Sequence, residues 1–206
     1  LRKFCDSSAH TKGRMLFWVI FTLTWIIFFW DLYLDYRQYR VQKKTVKRPE
    51  EVSEIISEED FLKARSYALD SRIYNIATGI YHQLQITVVL LFDLFFFFWK
   101  FSGIVNMKLG LENEITQSLI FGAMLMIFEI ILSLPLELYG TFVVEERHGF
   151  NKQTISFFLK DKLKKFVFTL VLMTPLMAGL IYIIQHTGRY FFIYAWLFLS
   201  LISFFL

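Results

Sequence analysis

The stretch MLFWVIFTLTWIIFFWDLYL, residues 15–34, holds twenty residues and one charged side chain, Asp31. A helix needs about 20 consecutive apolar residues to cross the hydrocarbon core of a bilayer. A secretory signal peptide has a shorter apolar segment, and further long apolar runs would not follow it. The stretch therefore predicts a transmembrane helix, with Asp31 close enough to its end to reach the membrane interface.

Four further apolar runs follow, at residues 84–101, 116–139, 166–184 and 190–206. Lipid offers no partners to the backbone, so a spanning segment is either a helix or a strand of a closed barrel. The alternating pattern of barrel strands is absent. We predict an all-α polytopic membrane protein with about five transmembrane helices. The last run has 17 residues, so we expect a truncated fifth span and a fragment of a longer chain.

The composition favours the same class. Hydrophobic residues make up 56% of the 206 residues and charged residues 19%, whereas soluble domains carry about 25% charge. The single cysteine, Cys5, excludes an internal disulfide framework. The net charge of +4 is modest, so the lipid bilayer, and not a nucleic acid, is the expected partner.

The basic residues predict the orientation. Five spans divide them into segments on alternate sides of the membrane, with fifteen residues on one side and seven on the other. Lysine and arginine are enriched on the cytoplasmic side. We therefore expect a lumenal N-terminus and two large cytoplasmic loops, one after the first span and one after the third.

Both large loops are expected to contain amphipathic helices. Ser57 and Asp60 form a Ser-x-x-Asp capping box, and apolar residues at helical spacing follow, so this helix should run on into the second span. In the other loop, Gly149 suits a turn and Asn151 can cap a helix beginning at Lys152. Lysines and apolar residues share that helix, which is typical of an anchor at the headgroup boundary.

Three acidic residues lie inside the apolar runs: Asp93, Glu129 and Glu137. An ionised group at the bilayer centre costs roughly 2.5–3.5 kcal/mol on insertion scales, so such groups usually face a bundle interior or a water-filled cavity. Glu129 and Glu137 are about 80° apart around an ideal helix, so both can face one cavity. Interhelical hydrogen bonding without any further role is the alternative.

The segment FVVEERHGFNKQT, residues 142–154, places a dense polar group between two apolar runs. Its candidate functions are a charge network that ties the loop to a neighbouring domain, a contact with substrate, and general acid–base chemistry. An ordinary solvated loop is the fourth possibility. The candidate residues are Glu145, Glu146, Arg147, His148 and Asn151.

No catalytic or metal centre is recognisable in the sequence. A helical zinc-protease site needs His-Glu-x-x-His. None of the four histidines, His10, His82, His148 and His186, lies three or four residues from another. A Gly-x-Ser-x-Gly nucleophile motif is absent as well. We therefore predict no catalytic residue and no metal ligand in this chain.

Four segments nevertheless resemble the type I CAAX prenyl protease family, in the same order along the chain. They are YLDYRQYRVQ (33–42), FLKARSYALDSRIYN (61–75), LPLELYGTFVVEERHGFNKQTISFFLKDKLKKF (134–166) and YFFIYAWLF (190–198). The similarity extends over the chain from about Phe17. The motifs are long and contain unusual polar runs, which makes the resemblance specific.

The resemblance implies a membrane-embedded zinc metalloprotease of the endoplasmic reticulum and the inner nuclear membrane. Seven spanning helices would enclose a water-filled chamber, and prenylated CaaX proteins would be the substrates. The family holds its zinc with His-Glu-x-x-His and a distant glutamate, all beyond the fifth span. Residues 1–206 would then be the N-terminal membrane region, which binds no zinc itself because the catalytic part is absent from it.

On this interpretation, residues 145–148 brace the missing catalytic part of the same protein and shape the substrate entry. Asp93, Glu129 and Glu137 would face the chamber. Two alternatives stay open. One is a non-catalytic membrane protein that binds prenylated peptides. The other is a small transporter or channel subunit whose intramembrane acids relay ions, although the odd span count and the absence of a recognisable broken-helix pair argue against it.

Overall fold

The computed structural model describes residues 2–49, 56–111 and 113–205. Every regular element in these ranges is helical, and they contain no strand. The prediction of an all-α protein is confirmed. The helices are α1 (Arg2–Lys44), α2 (Glu58–Leu91), α3 (Leu94–Lys108), α4 (Glu114–Tyr139), α5 (Ile155–His186) and α6 (Phe191–Phe205). A π-helix (Gly140–Glu145) extends α4, and a 3₁₀-helix (Gly188–Tyr190) precedes α6.

Three helical segments are long and apolar enough to cross a membrane: Met15–Lys44, Glu114–Glu145 and Ile155–His186. The predicted spans 15–34, 116–139 and 166–184 lie within them. α2 and α3 meet the criterion only together, as a pair bent at a short break, which raises the number to four. α6 is apolar but has 15 residues, fewer than the roughly 20 that cross a bilayer. By length and composition, the chain is a multi-pass membrane protein.

The predicted span 84–101 is broken. α2 ends at Leu91, and Asp93 has φ 53°, a left-handed conformation that aspartate tolerates better than most residues. The Asp93 amide donates to the Leu90 carbonyl at 3.4 Å, and α3 begins at Leu94. A right-handed helix cannot continue through a left-handed residue. The expectation that this chain has no broken-helix pair is therefore wrong.

Contacts within the chain divide it into two compact units. The first consists of residues 1–94 and 134–152, and the second of residues 95–133 and 153–206. In the first unit, Arg72 Nη1 lies 2.6 Å from Asp35 Oδ1, and Arg65 Nε donates to the Gln42 carbonyl at 3.1 Å. Asp35 precedes Gln42 on α1, whereas their partners Arg72 and Arg65 follow in the reverse order on α2. The two helices therefore pack antiparallel.

The N-terminus of α2 is capped as predicted. Ser57 Oγ accepts from the Asp60 amide at 3.1 Å and donates to Asp60 Oδ2 at 2.6 Å. This contact satisfies one of the backbone donors that a helix N-terminus leaves without a partner. The helix then continues past residue 84 to Leu91, which confirms that the helix of the first large loop runs on into the second apolar run.

The start of α5 differs from the prediction. The helix begins at Ile155, and Thr154, in an extended conformation, accepts from the Phe157 amide at 3.3 Å. Threonine is one of the preferred N-cap residues. Asn151 lies three residues earlier, and its side chain donates to Glu146 Oε2 at 3.1 Å. The prediction that Asn151 caps this helix is therefore wrong.

In the second unit, aromatic and small residues set the packing of the helices. Trp99 of α3 and Phe121 of α4 pack edge to face, with ring centroids 5.5 Å apart. On α5, a Cβ at Gly179 would lie 2.7 Å from Phe198 Cζ of α6. A side chain at position 179 would therefore require the Phe198 ring to move.

Candidate functional site

The polar segment after α4 forms a compact turn at residues 145–151, which we call the polar turn. α4 passes into the π-helix Gly140–Glu145, an element that is rare and frequently lies at functional sites. The amides of His148 and Phe150 both donate to the Glu145 carbonyl, at 3.2 and 3.0 Å. Gly149 has φ 75°, a conformation that glycine adopts readily because it has no Cβ. The predicted turn at Gly149 is confirmed.

One carboxylate of α2 holds this turn. Asp70 Oδ2 accepts from Arg147 Nη1 at 3.1 Å and lies 3.0 Å from His148 Nε2. Two of the candidate residues thus share a partner that the sequence analysis missed. Asp70 is the one acidic residue in the segment 61–75. This isolation is the sequence feature that could have identified Asp70 as a partner. We call Asp70, Arg147 and His148 the Asp70 cluster.

The two donors favour the ionised form of Asp70. The hydrogen bond from His148 lowers the pKa of Asp70 below its ordinary value, burial raises it, and Arg147 lowers it further through a hydrogen bond and its charge. The net change is downward. Asp70 precedes the apolar run 84–101, so the carboxylate lies outside the membrane span. At neutral pH the Asp70 cluster therefore contains a carboxylate and a guanidinium in direct contact.

Aromatic contacts hold the turn as well. Tyr67 packs edge-on against the His148 ring, with centroids 5.4 Å apart, and against Phe150 at 4.7 Å. Tyr67 and Asp70 are three residues apart, so they share one face of α2. The His148 side chain is 12% exposed, whereas that of Arg147 is 60% exposed. His148 is thus the enclosed member of the Asp70 cluster, and Arg147 is its solvent-facing member.

A small cavity also lies in the first unit, between α2 and the end of α4. Its volume is about 280 Å³. Glu137 and Glu145 both line it, together with Tyr67 and Ser71 of α2. The structure thus brings one acid that was predicted to face a chamber, Glu137, to the same cavity as an acid of the polar turn.

The junction of α4 and the π-helix fits closely against α2. Tyr74 Oη donates to the Leu136 carbonyl at 2.9 Å. Gly140 is buried, and a Cβ at this position would lie 2.7 Å from Tyr74 Oη. Real Cβ atoms essentially never approach another heavy atom this closely, so the contact requires a glycine at position 140.

The other candidate residues are placed separately. Asn151 donates to Glu146 within the turn, and Glu146 is exposed. Asp93 is exposed at the break after α2, and Glu129 is exposed on α4 in the second unit. Neither Asp93 nor Glu129 lines the 280 Å³ cavity. That these acids face a water-filled chamber stays a prediction.

The described part of the chain does not fit a zinc site. No three histidine, cysteine, aspartate or glutamate side chains come together there as possible metal ligands. His148 is engaged by Asp70, and the His186 ring stacks on Tyr182 with centroids 4.1 Å apart. The side chains of Cys5 and His10 lie outside the described residues. The zinc that the resemblance implies therefore finds no ligand set among these residues.

Comparison with known proteins identifies the family. Residues 38–206 match the family model described as CAAX prenyl protease N-terminal, five membrane helices. The chain is 41% identical over 192 residues to CAAX prenyl protease 1 homolog of Homo sapiens, and 38% identical over 187 residues to that of Caenorhabditis elegans. The alignments cover 92% and 91% of this chain and 40% of each relative. The chain thus spans about two fifths of the length of these relatives.

A solved structure agrees with the sequence match. The crystal structure of S. mikatae Ste24p is similar with a TM-score of 0.84 and 27% identity, over 91% of this chain and 44% of that chain. Residues 38–206 include α2 to α6 and all members of the Asp70 cluster. Because the family model matches most of its length, the chain belongs to the CAAX prenyl protease family, and it matches the N-terminal region that the family model describes as five membrane helices.

Proposed function

We propose that residues 1–206 are the N-terminal membrane region of a zinc metalloendopeptidase that processes C-terminally prenylated CaaX proteins. The observation that carries this proposal is the family match over residues 38–206. The proposed location is the endoplasmic reticulum membrane and the inner nuclear membrane. The excess of basic residues in the two large loops supports a cytoplasmic location for them and a lumenal N-terminus.

Peptide hydrolysis would depend on residues outside this chain. The described side chains offer no set of three metal ligands, and the chain spans about two fifths of its curated relatives. We therefore assign the zinc ligands and the general base to the remaining part of the protein. This chain would form the path of the prenylated substrate and a fixed surface against which the catalytic part is held.

The polar turn is the region that we assign to the contact with the catalytic part and to the substrate entry. Asp70 holds Arg147 and His148 from α2. Asn151 holds Glu146, which is exposed. Functional groups work best when neighbouring residues fix their geometry. Asp70 provides such support for Arg147, and Asn151 provides it for Glu146, so both exposed side chains are presented in defined positions.

The proposal is tested on the full-length protein, purified in detergent and assayed with a prenylated CaaX peptide. We expect cleavage of the peptide and bound zinc, and we expect removal of the zinc with a chelator to stop cleavage. Full-length protein that binds the prenylated peptide but contains no zinc and does not cleave would contradict the proposal. That outcome would favour the non-catalytic binding protein.

A triple substitution tests the role of the turn. Glu146→Ala, Arg147→Ala and His148→Ala together should lower the cleavage rate while zinc stays bound, because the supporting surface changes and the metal ligands do not. The control variant, Glu59→Ala with Lys63→Ala, replaces both residues of an exposed ion pair of α2. Wild-type turnover in the triple variant would show that the turn neither braces the catalytic part nor shapes the entry.

Transport is the second candidate function, because α2 and α3 form a broken pair. Interrupted helices build ion and substrate sites in transporters, and Asp93 lies in this interruption. Ion flux into proteoliposomes that contain the full-length protein, abolished by Asp93→Asn, would favour transport. Cleavage of the prenylated peptide without any flux would exclude it.

A further inference from the structure

A second cavity lies between α1 and α2, and the proposed function does not depend on it. Its volume is about 410 Å³, within the range of small-molecule binding sites. Its walls combine apolar and polar side chains. The apolar ones include Ile27, Phe28 and Ile86, and the polar ones include Asp31, Asp35 and Gln83. An amphipathic lining of this kind suits a ligand with a polar head and an apolar body.

The antiparallel packing of α1 and α2 orients the cavity. The contact between Asp35 and Arg72 fixes the register. Asp35 and Asn75 therefore lie at one end of the cavity, and Thr24 and Ile86 lie at the other. The residues from Thr24 to Asp35 extend over about 16 Å of α1, at 1.5 Å per residue. This length is sufficient for a lipid headgroup and the beginning of its acyl chains.

The cavity contains an uncompensated negative charge. Asp35 is neutralised by Arg72, 2.6 Å away. Asp31 makes no hydrogen bond or ion pair with another residue in the described ranges. No lysine or arginine lines the cavity, and the imidazole of His82 is the one basic side chain in its lining. Because opposite charges attract more strongly where protein and lipid partly exclude water, a ligand that brings a positive charge is favoured here.

A buried amide sets a second requirement. Gln83 lines the cavity, and its residue is 7% exposed. Its Nε2 has no hydrogen-bond acceptor in the described part of the chain. Buried polar groups are nearly always hydrogen-bonded, so an acceptor is missing at this position. A phosphate or ester oxygen of a ligand would supply it.

We propose that the cavity between α1 and α2 binds a phospholipid with a primary ammonium headgroup, such as phosphatidylethanolamine. The ammonium group donates to Asp31, and an ester oxygen of the glycerol backbone accepts from Gln83. With Asp35 opposite Arg72, Asp31 is level with about Ile76, so Gln83 lies roughly 10 Å, or about two helical turns, from the level of Asp31. The two-carbon linker of ethanolamine is shorter than this distance, so the acceptor for Gln83 lies beyond the phosphate.

Two observations select this ligand class. A quaternary ammonium group is recognised by several aromatic faces, but Phe28 is the one phenylalanine, tyrosine or tryptophan that lines this cavity. A primary ammonium group donates hydrogen bonds, which suits the carboxylate of Asp31. Ile26 and Ile27 of the spanning segment are each 58% exposed. Membrane lipid therefore has access to the apolar wall of the cavity.

Gly79 allows the cavity to be filled. It lines the cavity, and a Cβ at this position would meet no atom within 4 Å. A Cβ at position 79 therefore displaces no neighbour, and the remaining atoms of the leucine in Gly79→Leu should enter the cavity. Gly122 on α4 has equally open surroundings and does not line the cavity. Gly122→Leu is the matched control for the effect of a glycine-to-leucine change in a helix.

The test is native mass spectrometry of the full-length protein, loaded with equal amounts of phosphatidylethanolamine, phosphatidylcholine and phosphatidylglycerol. We expect preferential retention of phosphatidylethanolamine by the wild type and by Gly122→Leu. Gly79→Leu should abolish this preference. Asp31→Asn should weaken the retention about ten-fold, because a hydrogen bond to an ionised acceptor is roughly twice as strong as one between neutral groups.

Several outcomes would overturn the proposal. Equal retention of the three lipids, or unchanged retention by Gly79→Leu, would show that the cavity does not select this headgroup. Displacement of the lipid by soluble phosphoethanolamine would assign the site to the free headgroup compound, and displacement by a prenylated peptide would assign it to substrate. If Gly79→Leu fails to fold, Asp31→Asn still decides the result. Because lipid retention is measured, the outcome does not depend on peptide cleavage.

Discussion

His148 Nε2 lies 3.0 Å from Asp70 Oδ2, although the two residues are 78 positions apart in the chain. The contact joins the turn after α4 to the middle of α2. Arg147 adds a second bond to the same carboxylate oxygen, and Tyr67, one turn earlier on α2, packs edge-on against the His148 ring. The position of the whole turn therefore depends on one face of α2.

Replacing Asp70 with asparagine should loosen the turn. Hydrogen bonds to charged groups contribute about 1.5–3 kcal/mol. The side chains of Asp70 and Arg147 are 30% and 60% exposed, so solvent screening reduces the expected loss to about 1 kcal/mol. The rate at which His148 reacts with diethyl pyrocarbonate, followed by peptide mass spectrometry, should rise about five-fold.

The control for this substitution is Glu59→Gln. Glu59 forms an ion pair with Lys63 on the same helix at 2.7 Å, and both side chains are highly exposed. This change removes one negative charge from α2 without touching the turn, so the reactivity of His148 should not change. Equal reactivity of His148 in the wild type and in Asp70→Asn would contradict the anchoring role of Asp70.

The lowered pKa of Asp70 predicts a dependence on acid pH. The hydrogen bond from His148, followed by the contacts of Arg147, keeps the pKa of Asp70 below 3.8. A carboxylate with a lowered pKa stabilises the folded state above its unfolded pKa, and this stabilisation is lost as the pH falls through the folded value. The difference in Tm between the wild type and Asp70→Asn should therefore stay constant from about pH 7 to pH 5 and shrink below about pH 3.8. A difference that shrinks already between about pH 7 and pH 5 would contradict a lowered pKa of Asp70.

Local features of the fold could be predicted from the sequence. The spans 15–34, 116–139 and 166–184, the cap at Ser57 and the turn at Gly149 each depend on residues within a few positions of one another. The break at Asp93 could not be predicted in this way, because hydropathy averaged over a window hardly changes when one residue adopts a left-handed conformation. Thr154 and Asn151 are both good cap residues. Thr154 caps α5, because the Asn151 side chain bonds to Glu146 instead.

The candidate site was predicted only in part, for a different physical reason. Arg147 and His148 stand out as polar residues between apolar runs, but their partner Asp70 is more than seventy positions away. The pairing depends on how α2 packs against the turn, and no local spacing encodes that packing. The same reason explains why Tyr74 and Gly140 were not singled out, since their contact also joins two distant segments.

Gly140→Ala should destabilise the junction of α4 with α2. The new Cβ would lie 2.7 Å from Tyr74 Oη and 2.8 Å from Tyr74 Cζ, so the ring must move and its hydrogen bond to Leu136 is lost. Overpacking and a lost hydrogen bond together cost about 2–4 kcal/mol, which thermal unfolding in detergent would measure. Gly122→Ala is the matched control, because a Cβ there meets nothing within 4 Å, and alanine is the better helix former.

A double substitution separates the clash from a general effect of alanine in this helix. Adding Tyr74→Leu removes the ring that the new Cβ would meet, so Gly140→Ala should cost less in the Tyr74→Leu background than in the wild type. Coupled residues show such non-additivity, whereas independent ones do not. Additive losses in the double variant would mean that the cost arises elsewhere than at the contact with Tyr74.

Thr154→Ala should release the N-terminus of α5, whereas Asn151→Ala should not. Thr154 Oγ1 accepts from the Phe157 amide at 3.3 Å, and loss of a threonine N-cap costs about 0.5–2 kcal/mol. Hydrogen exchange at the Phe157 amide should therefore become faster in Thr154→Ala. Asn151 bonds to Glu146 in the turn, so its replacement leaves that amide protected. Faster exchange at Phe157 in Asn151→Ala, with no change in Thr154→Ala, would show that the helix is capped at Asn151 after all.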